Sequence, residues 1–283
     1  MDGTRKEGRK EGRKAAKIAI VGFGGIAKVH YGALLHLKER GVPIKVVAVC
    51  DSDEQKIREQ KGINLGNQVV SLADNVHIYT DIDALLGDDF DIADICLPSF
   101  LHKEITIKML RAGKHVFVEK PMALHYTDCE EMVRVAKEEN RRLMVGQCLR
   151  FDPAYLYLKD CIDRSIFGEL KQLYLYRFSE YQHLGAAKWF EQTEKCGGCI
   201  LDTHIHDVDM TRFLLGEPKS VSTVADANVP HWELVDTRLF YPNTTVIARC
   251  SWDETVSVPF QMGYRARFEK ASVCMENGTV KVF

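Results

Sequence analysis

No apolar run in the 283-residue sequence approaches the roughly 18 residues of a membrane-spanning helix, so hydropathy offers no candidate of that kind. A surplus of either charge is also missing: 38 Lys and Arg face 40 Asp and Glu. Seven basic residues against three acidic ones sit within residues 1–17, which leaves 31 basic and 37 acidic residues beyond them. That body is mildly acidic and has no electrostatic footprint for nucleic acid. The repetitive stretch Arg5 to Lys14 is expected to be a solvated, disordered tail. Basic residues ahead of Ile18 to Ile26 imitate the start of a secretory signal, but Gly22, Gly24 and Gly25 interrupt the run and a helical pattern follows in place of a cleavage site. A cytoplasmic protein is expected. A disulfide framework is lacking as well, because the nine cysteines are odd in number and eight lie in or beside apolar segments. Cys196-Gly-Gly-Cys199 has no second pair at finger spacing and follows no thioredoxin-like strand, so it reads as coincidence.

What is present from Lys17 onward is an alternation of short apolar runs with amphipathic segments, the pattern of βαβ units on a parallel sheet. Strands are expected at Ile18–Val21, Ile44–Cys50, Ile92–Leu97, His115–Val118 and Leu143–Val145. Helices are expected over Ile26–Arg40, after a Ser99 cap, and after the capping box Thr127 to Glu130. Beyond about Gln147 the character shifts to long strands at 170–181, 221–227, 237–241, 245–252 and 261–269, with helices at 153–161 and 207–215. The fold class is therefore α/β: a Rossmann domain over 18–148, then an α+β domain over 149–283 with a mostly antiparallel sheet.

Three motifs carry chemistry. Gly22-Phe23-Gly24-Gly25-Ile26-Ala27 is a G-x-G-x-x-A between the first strand and first helix, where glycines allow a tight turn and close approach of a pyrophosphate to the helix N-terminus. Asp51, at the end of the second strand and 29 residues after Gly22, would accept the ribose hydroxyls and repel a 2′-phosphate, which favours NAD over NADP. Lys120, directly after the strand His115–Val118, stands where open parallel sheets bind ligands, although a lysine in such a place is more often a surface charge. The block Gly197 to Asp209 is dense in titratable groups. If Asp202 to Leu215 is one helix, Asp202 and His206 share a face and a carboxylate can orient an imidazole suited to proton transfer near neutral pH. Zinc competes for His204, His206 and the aspartates there, but the two histidines diverge by roughly 200° on a helix and no H-E-x-x-H occurs, so no metal is expected.

With these motifs in order, the sequence resembles the glucose-fructose oxidoreductase and inositol dehydrogenase family, Gfo/Idh/MocA. The matching pieces are Val21 to Ala27 with His30, Ala48 to Asp51, Leu97-Pro-Ser-Phe-Leu-His102, Ala112 to Pro121, Arg150-Phe-Asp-Pro153 and Gly197 to Asp209. The resemblance implies NAD-dependent oxidation of a sugar, inositol or related polyol. It also implies that Pro98, Ser99, His102, Glu119 and Lys120 join residues 22–27 and Asp51 at the cofactor. It assigns Lys120, Asp202 and His206 to catalysis and, with Arg150, to the substrate; His206 is favoured as the base, with Lys120 on the substrate oxygen and Asp202 orienting the imidazole. A homo-oligomer through the C-terminal sheet is implied too. Two other readings stay open: a redox-neutral NAD-using glycosidase, and a non-catalytic nucleotide-binding protein. Family members continue for several dozen residues past a segment like Arg267 to Phe283, so either a fragment or a shortened form is expected.

Overall fold

The structure, a computed structural model, describes residues 14–58, 71–180, 189–226, 234–255 and 257–283. Residues 1–13 of the expected disordered tail lie outside the described residues. Ala16 and Lys17, expected to close that tail, instead begin the first strand, β1 Ala16–Val21.

The chain divides into two compact units. The first holds β1, β2 Ile44–Cys50, β3 His77–Tyr79, β4 Ile92–Ile95, β5 His115–Val118 and β6 Leu143–Val145 in the order β3-β2-β1-β4-β5-β6, the doubly wound order of a dinucleotide fold. Its pairs β1–β2, β2–β3, β1–β4 and β4–β5 are parallel. Both faces of such a sheet are covered, which explains why β1 reads as an unbroken apolar run: Ile18, Ala19, Ile20 and Val21 are all buried. Helix α1 Gly25–Glu39 lays Ala27 and Tyr31 against Ile20, Val46 and Val49. The short helices α2 Glu54–Arg58 and α3 Ile82–Leu86 follow, then α4 His102–Arg111 and α5 Tyr126–Glu138. Two expected caps are corrected. Ser99 opens a 3₁₀ turn, Ser99–Leu101, ahead of α4, and Thr127 lies inside the first turn of α5 because that helix already begins at Tyr126.

The second unit is built on α6 Pro153–Asp163, β7 Leu170–Glu180, α7 Thr193–Cys196, α8 Ile205–Leu215 and strands β8 Ser220–Ala225 to β13 Thr279–Val282. Its seven strands run β13-β12-β11-β7-β10-β9-β8, where β9 is Leu234–Phe240, β10 Thr245–Glu254, β11 Gln261–Phe268 and β12 Ser272–Glu276. β7 and β10 are parallel; the other pairs are antiparallel. Alternation along β7 sends Leu173, Leu175 and Arg177 inward and Tyr174, Tyr176 and Phe178 to the opposite face, where the three rings stack at 5.7 and 5.5 Å. The inward face packs under α6 and α8 through Tyr155, Leu158, Met210 and Leu214.

A single boundary at residue 148 does not describe this division. Pro98–Phe100 and Lys120–Asp128 group with the second unit, and the chain passes between units five times. Sequence character cannot show this, because both segments are loops and turns embedded in an otherwise regular βα alternation.

Candidate active site

The turn after β1 demands glycine at one place and leaves open space at another. Gly22 has φ +84°, and a Cβ there would stand 2.7 Å from the carbonyl oxygen of Cys96. Gly24 caps α1, and a Cβ built on it meets nothing within 4 Å, so its backbone faces open space. No acidic residue occupies the first turn of α1, which leaves the positive end of the helix dipole uncancelled for an anion. Asp51 is locked beside this turn: its carboxylate accepts the N–H of Phe23 at 2.8 Å and of Asp53 at 3.0 Å. The residues present therefore fit a dinucleotide. Three of those assigned to the cofactor have packing or hydrogen-bonding places of their own. The Phe23 ring is buried edge-on to Tyr31, with centroids 6.2 Å apart, and Ala27 is fully buried. His102 is buried as well and donates from Nε2 to the carbonyl of Leu97 at 2.8 Å, pinning the segment that carries Pro98 and Ser99.

Glu119 has a partner the sequence did not disclose. Its carboxylate accepts from Nε2 of His30 at 3.1 Å, while Nδ1 of the same ring meets both carboxylate oxygens of Asp94 at 3.0 and 3.1 Å. Carboxylates only accept, so both ring nitrogens carry protons. Burial opposes that charge, yet the bonds to Asp94, Cys96 and Glu119 outweigh it and hold the pKa well above the usual 6.5.

Within the second unit, Lys120 and the Gly197 to Asp209 block come together. Two helical residues, Gly198 and Cys199, lead into a π-helical turn, Ile200–His204, and α-helical winding resumes at Ile205. Such turns are rare and concentrate at functional sites. Lys120 Nζ donates to the Asp202 carbonyl at 2.6 Å and to its carboxylate at 2.9 Å. The other carboxylate oxygen accepts from the Thr203 hydroxyl at 3.2 Å, and that hydroxyl accepts from Trp252 Nε1 at 2.7 Å. The expected orientation of the His206 imidazole by Asp202 is thus corrected: the π turn breaks the i, i+4 relation, and the carboxylate is held by Lys120 and Thr203. His206 keeps part of its surface, but its Nδ1 is buried with no hydrogen-bond partner among the described residues. Burial, then the positive charges of Lys120 and Arg177, drive its pKa well below 6.5, so the ring is neutral, not poised at neutrality as the sequence suggested.

Arg150, expected at the substrate, makes a two-pronged pair with Asp209 at 2.6 and 2.8 Å and lies over the Phe213 ring at 5.3 Å. Sequence reasoning missed Arg177, which pairs with the fully buried Asp207 at 3.2 Å. The signal was available: a single charge at an inward position of a strand, directly after the apolar inward residues Leu173 and Leu175.

His204, which sequence reasoning weighed as a zinc ligand, is 3% exposed and shares a 2.9 Å bond between Nε2 and the Thr237 hydroxyl. Burial brings its pKa down to about 4; Asp236 raises it and Arg177 lowers it further. A group neutral in the fold but titrating near 6.5 when unfolded costs no stability above pH 6.5. Below that, the unfolded chain binds a proton that the fold refuses, so stability falls until about pH 4. The loss from His204 amounts to about 3 kcal/mol by pH 4. Urea unfolding of wild type and His204→Asn at pH 7 and pH 4.5 checks this, since the variant should lose less between the two; equal losses would contradict the assignment.

Comparison with known proteins decides the family. The sequence profile of the oxidoreductase family's NAD-binding Rossmann fold matches residues 16–147, and that of the GFO/IDH/MocA C-terminal domain matches 155–281. The chain belongs to the Gfo/Idh/MocA oxidoreductase family. Its first unit is this family's NAD-binding fold. Inositol 2-dehydrogenase of Rhizobium meliloti is 30% identical over 74% of the chain and 58% of its own length. A 2,7-anhydro-N-acetylneuraminate hydratase of Mediterraneibacter gnavus is 30% identical over 77% of the chain and 54% of its own length. The chain thus spans a little over half the length of these curated relatives. Among solved structures, the WlbA dehydrogenase from Bordetella pertussis, in complex with NADH and UDP-GlcNAcA, superposes with a TM-score of 0.80 at 22% identity, covering 94% of this chain and 79% of that one. At that identity the likeness is one of fold. Among the described residues no helix is long and apolar enough to cross a membrane.

Proposed function

We propose that the protein oxidises a secondary hydroxyl of a sugar, inositol or related polyol. The observation that carries this reading is the ammonium of Lys120, held on Asp202, in the same charge field as the neutral imidazole of His206. Bound NAD supplies the hydride acceptor. Lys120 donates to the substrate oxygen, and His206 takes the hydroxyl proton as the C–H bond gives up its hydride and the C=O bond forms. A neutral imidazole is ready to accept that proton, and its depressed pKa means the proton is readily passed on. Asp202 fixes the position of Lys120. Arg150 stays with Asp209 and orders the start of α8. Screening polyols with NAD by absorbance at 340 nm tests the reading. The hydratase relatives favour a second, redox-neutral reading on the same residues, in which substrate is consumed with no net NADH; accumulation of NADH with turnover decides for oxidation.

NAD is expected to bind more tightly than NADP, because Asp51 stands at the end of β2 and Ser52 and Asp53 follow it in place of a basic residue. Asp51→Ala should narrow the difference measured calorimetrically at fixed salt; equal or tighter NADP binding by the wild type would refute the assignment. The stacked face of Tyr174, Tyr176 and Phe178 supports association of two copies through the second sheet, to be tested by sedimentation. Nine cysteines outside any disulfide, six of them buried, support work in the reducing cytoplasm.

A further inference from the structure

The first unit contains a second cluster whose geometry the hydride chemistry does not require. Nδ1 of His30 lies 3.0 Å from Oδ1 of Asp94 and 3.3 Å from Sγ of Cys96, and that sulfur is 3.6 Å from the same Asp94 oxygen. Three different donors from α1 and from β4 and its end thus form a triangle, with Asp94 and Cys96 both buried. For zinc bonds of about 2.0 Å to nitrogen and oxygen and about 2.3 Å to sulfur at tetrahedral angles, the edges of such a triangle are about 3.3 to 3.6 Å. The observed edges lie within about 0.3 Å of that range. Glu119 completes the arrangement from outside, since it accepts from Nε2 of His30 at 3.1 Å. A carboxylate on the far nitrogen of a metal-bound imidazole fixes the tautomer with Nδ1 free to coordinate.

We propose that His30, Asp94 and Cys96 form a zinc site, with Glu119 orienting the imidazole and one coordination position left to water or another small ligand. The exchange balances. Without metal, His30 carries protons on both nitrogens, Cys96 holds its own, and Asp94 and Glu119 are ionised. Zinc displaces the Nδ1 proton and the thiol proton, so two positive charges enter as two leave to solvent and the net charge of the cluster stays the same. The desolvation cost of putting a divalent ion in a buried place is met by two anionic ligands. Borderline-soft sulfur and nitrogen donors select zinc over magnesium or calcium, which prefer all-oxygen shells.

Metal content of the full chain, stripped with chelator and then dialysed against micromolar zinc, tests this directly. One zinc per chain is expected by mass spectrometry, and cobalt in its place should show a thiolate-to-metal charge-transfer band. Cys96→Ser and Asp94→Asn should lose both signals, while Cys148→Ser, which changes an exposed thiol far along the chain, should keep them. Should Cys96→Ser fail to fold, judged by circular dichroism, Glu119→Gln gives an independent reading: it retains all three ligands and should weaken zinc by about 10- to 100-fold. Absence of stoichiometric zinc in the wild type, or zinc that persists unchanged in a folded Cys96→Ser, overturns the site and leaves protons as the only occupants of the triangle.

Discussion

Lys120→Ala should cost about 10²- to 10⁴-fold in kcat/KM on the best polyol while leaving NAD affinity nearly unchanged, because the ammonium acts on the reacting oxygen and not on the dinucleotide. Its place in the structure sharpens that expectation. The side chain is half-buried and spans to the carbonyl and the carboxylate of one residue, Asp202, so its position is fixed before substrate arrives. Alanine removes the charge and also leaves the carbonyl of a π-helical turn without its donor, so circular dichroism must accompany the kinetics. A folded variant within about threefold of wild type, under ~0.7 kcal/mol, would make Lys120 a bystander.

His206→Ala is expected to lower kcat by a similar 10²- to 10⁴-fold. The pattern of coupling should differ from the one sequence spacing suggested. Since Asp202 bonds Lys120 and Thr203, adding Asp202→Asn to Lys120→Ala should cost little further, whereas adding it to His206→Ala should cost nearly its full independent amount. The pH profile follows the same logic. Burial and the neighbouring charges of Lys120 and Arg177 keep the imidazole neutral to well below 6.5, so the acid limb of the oxidation rate belongs below that value and should vanish in His206→Ala. An acid limb centred at 6.5 or above in the wild type, unchanged in the variant, would remove His206 from the proton transfer.

The parallel sheet was legible because its strands are buried on both faces and read as unbroken apolar runs, and β7, β10 and β11 were legible because their length and β-branched or aromatic content leave little else. β12 and β13 escaped notice although their signal was present: Asn277-Gly278, both at positive φ, joins the alternating Val273/Met275 and Val280/Val282 as a two-residue hairpin. The residue types of the site were visible as motifs, but their partners were not. Whether Asp202 faces His206 or Lys120 depends on where a helix switches from π to α winding, a backbone detail that no side-chain periodicity records. The bond from Trp252 to Thr203 joins residues 49 positions apart, and the link from His30 to Glu119 spans 89.

The five passages of the chain between its two units set a rule for anyone recombining them. Glu119 groups with the first unit and Lys120 with the second, so the peptide bond that joins the two motif residues is itself a module boundary. A chimera made by one cut near residue 145 would graft a new sheet and a new Asp202 equivalent onto the old Lys120, pairing a lysine and a carboxylate that had never shared a backbone. Exchange of specificity between relatives would therefore have to carry residues 98–100 and 120–128 along with 145–283, as three inserts in place of one fragment.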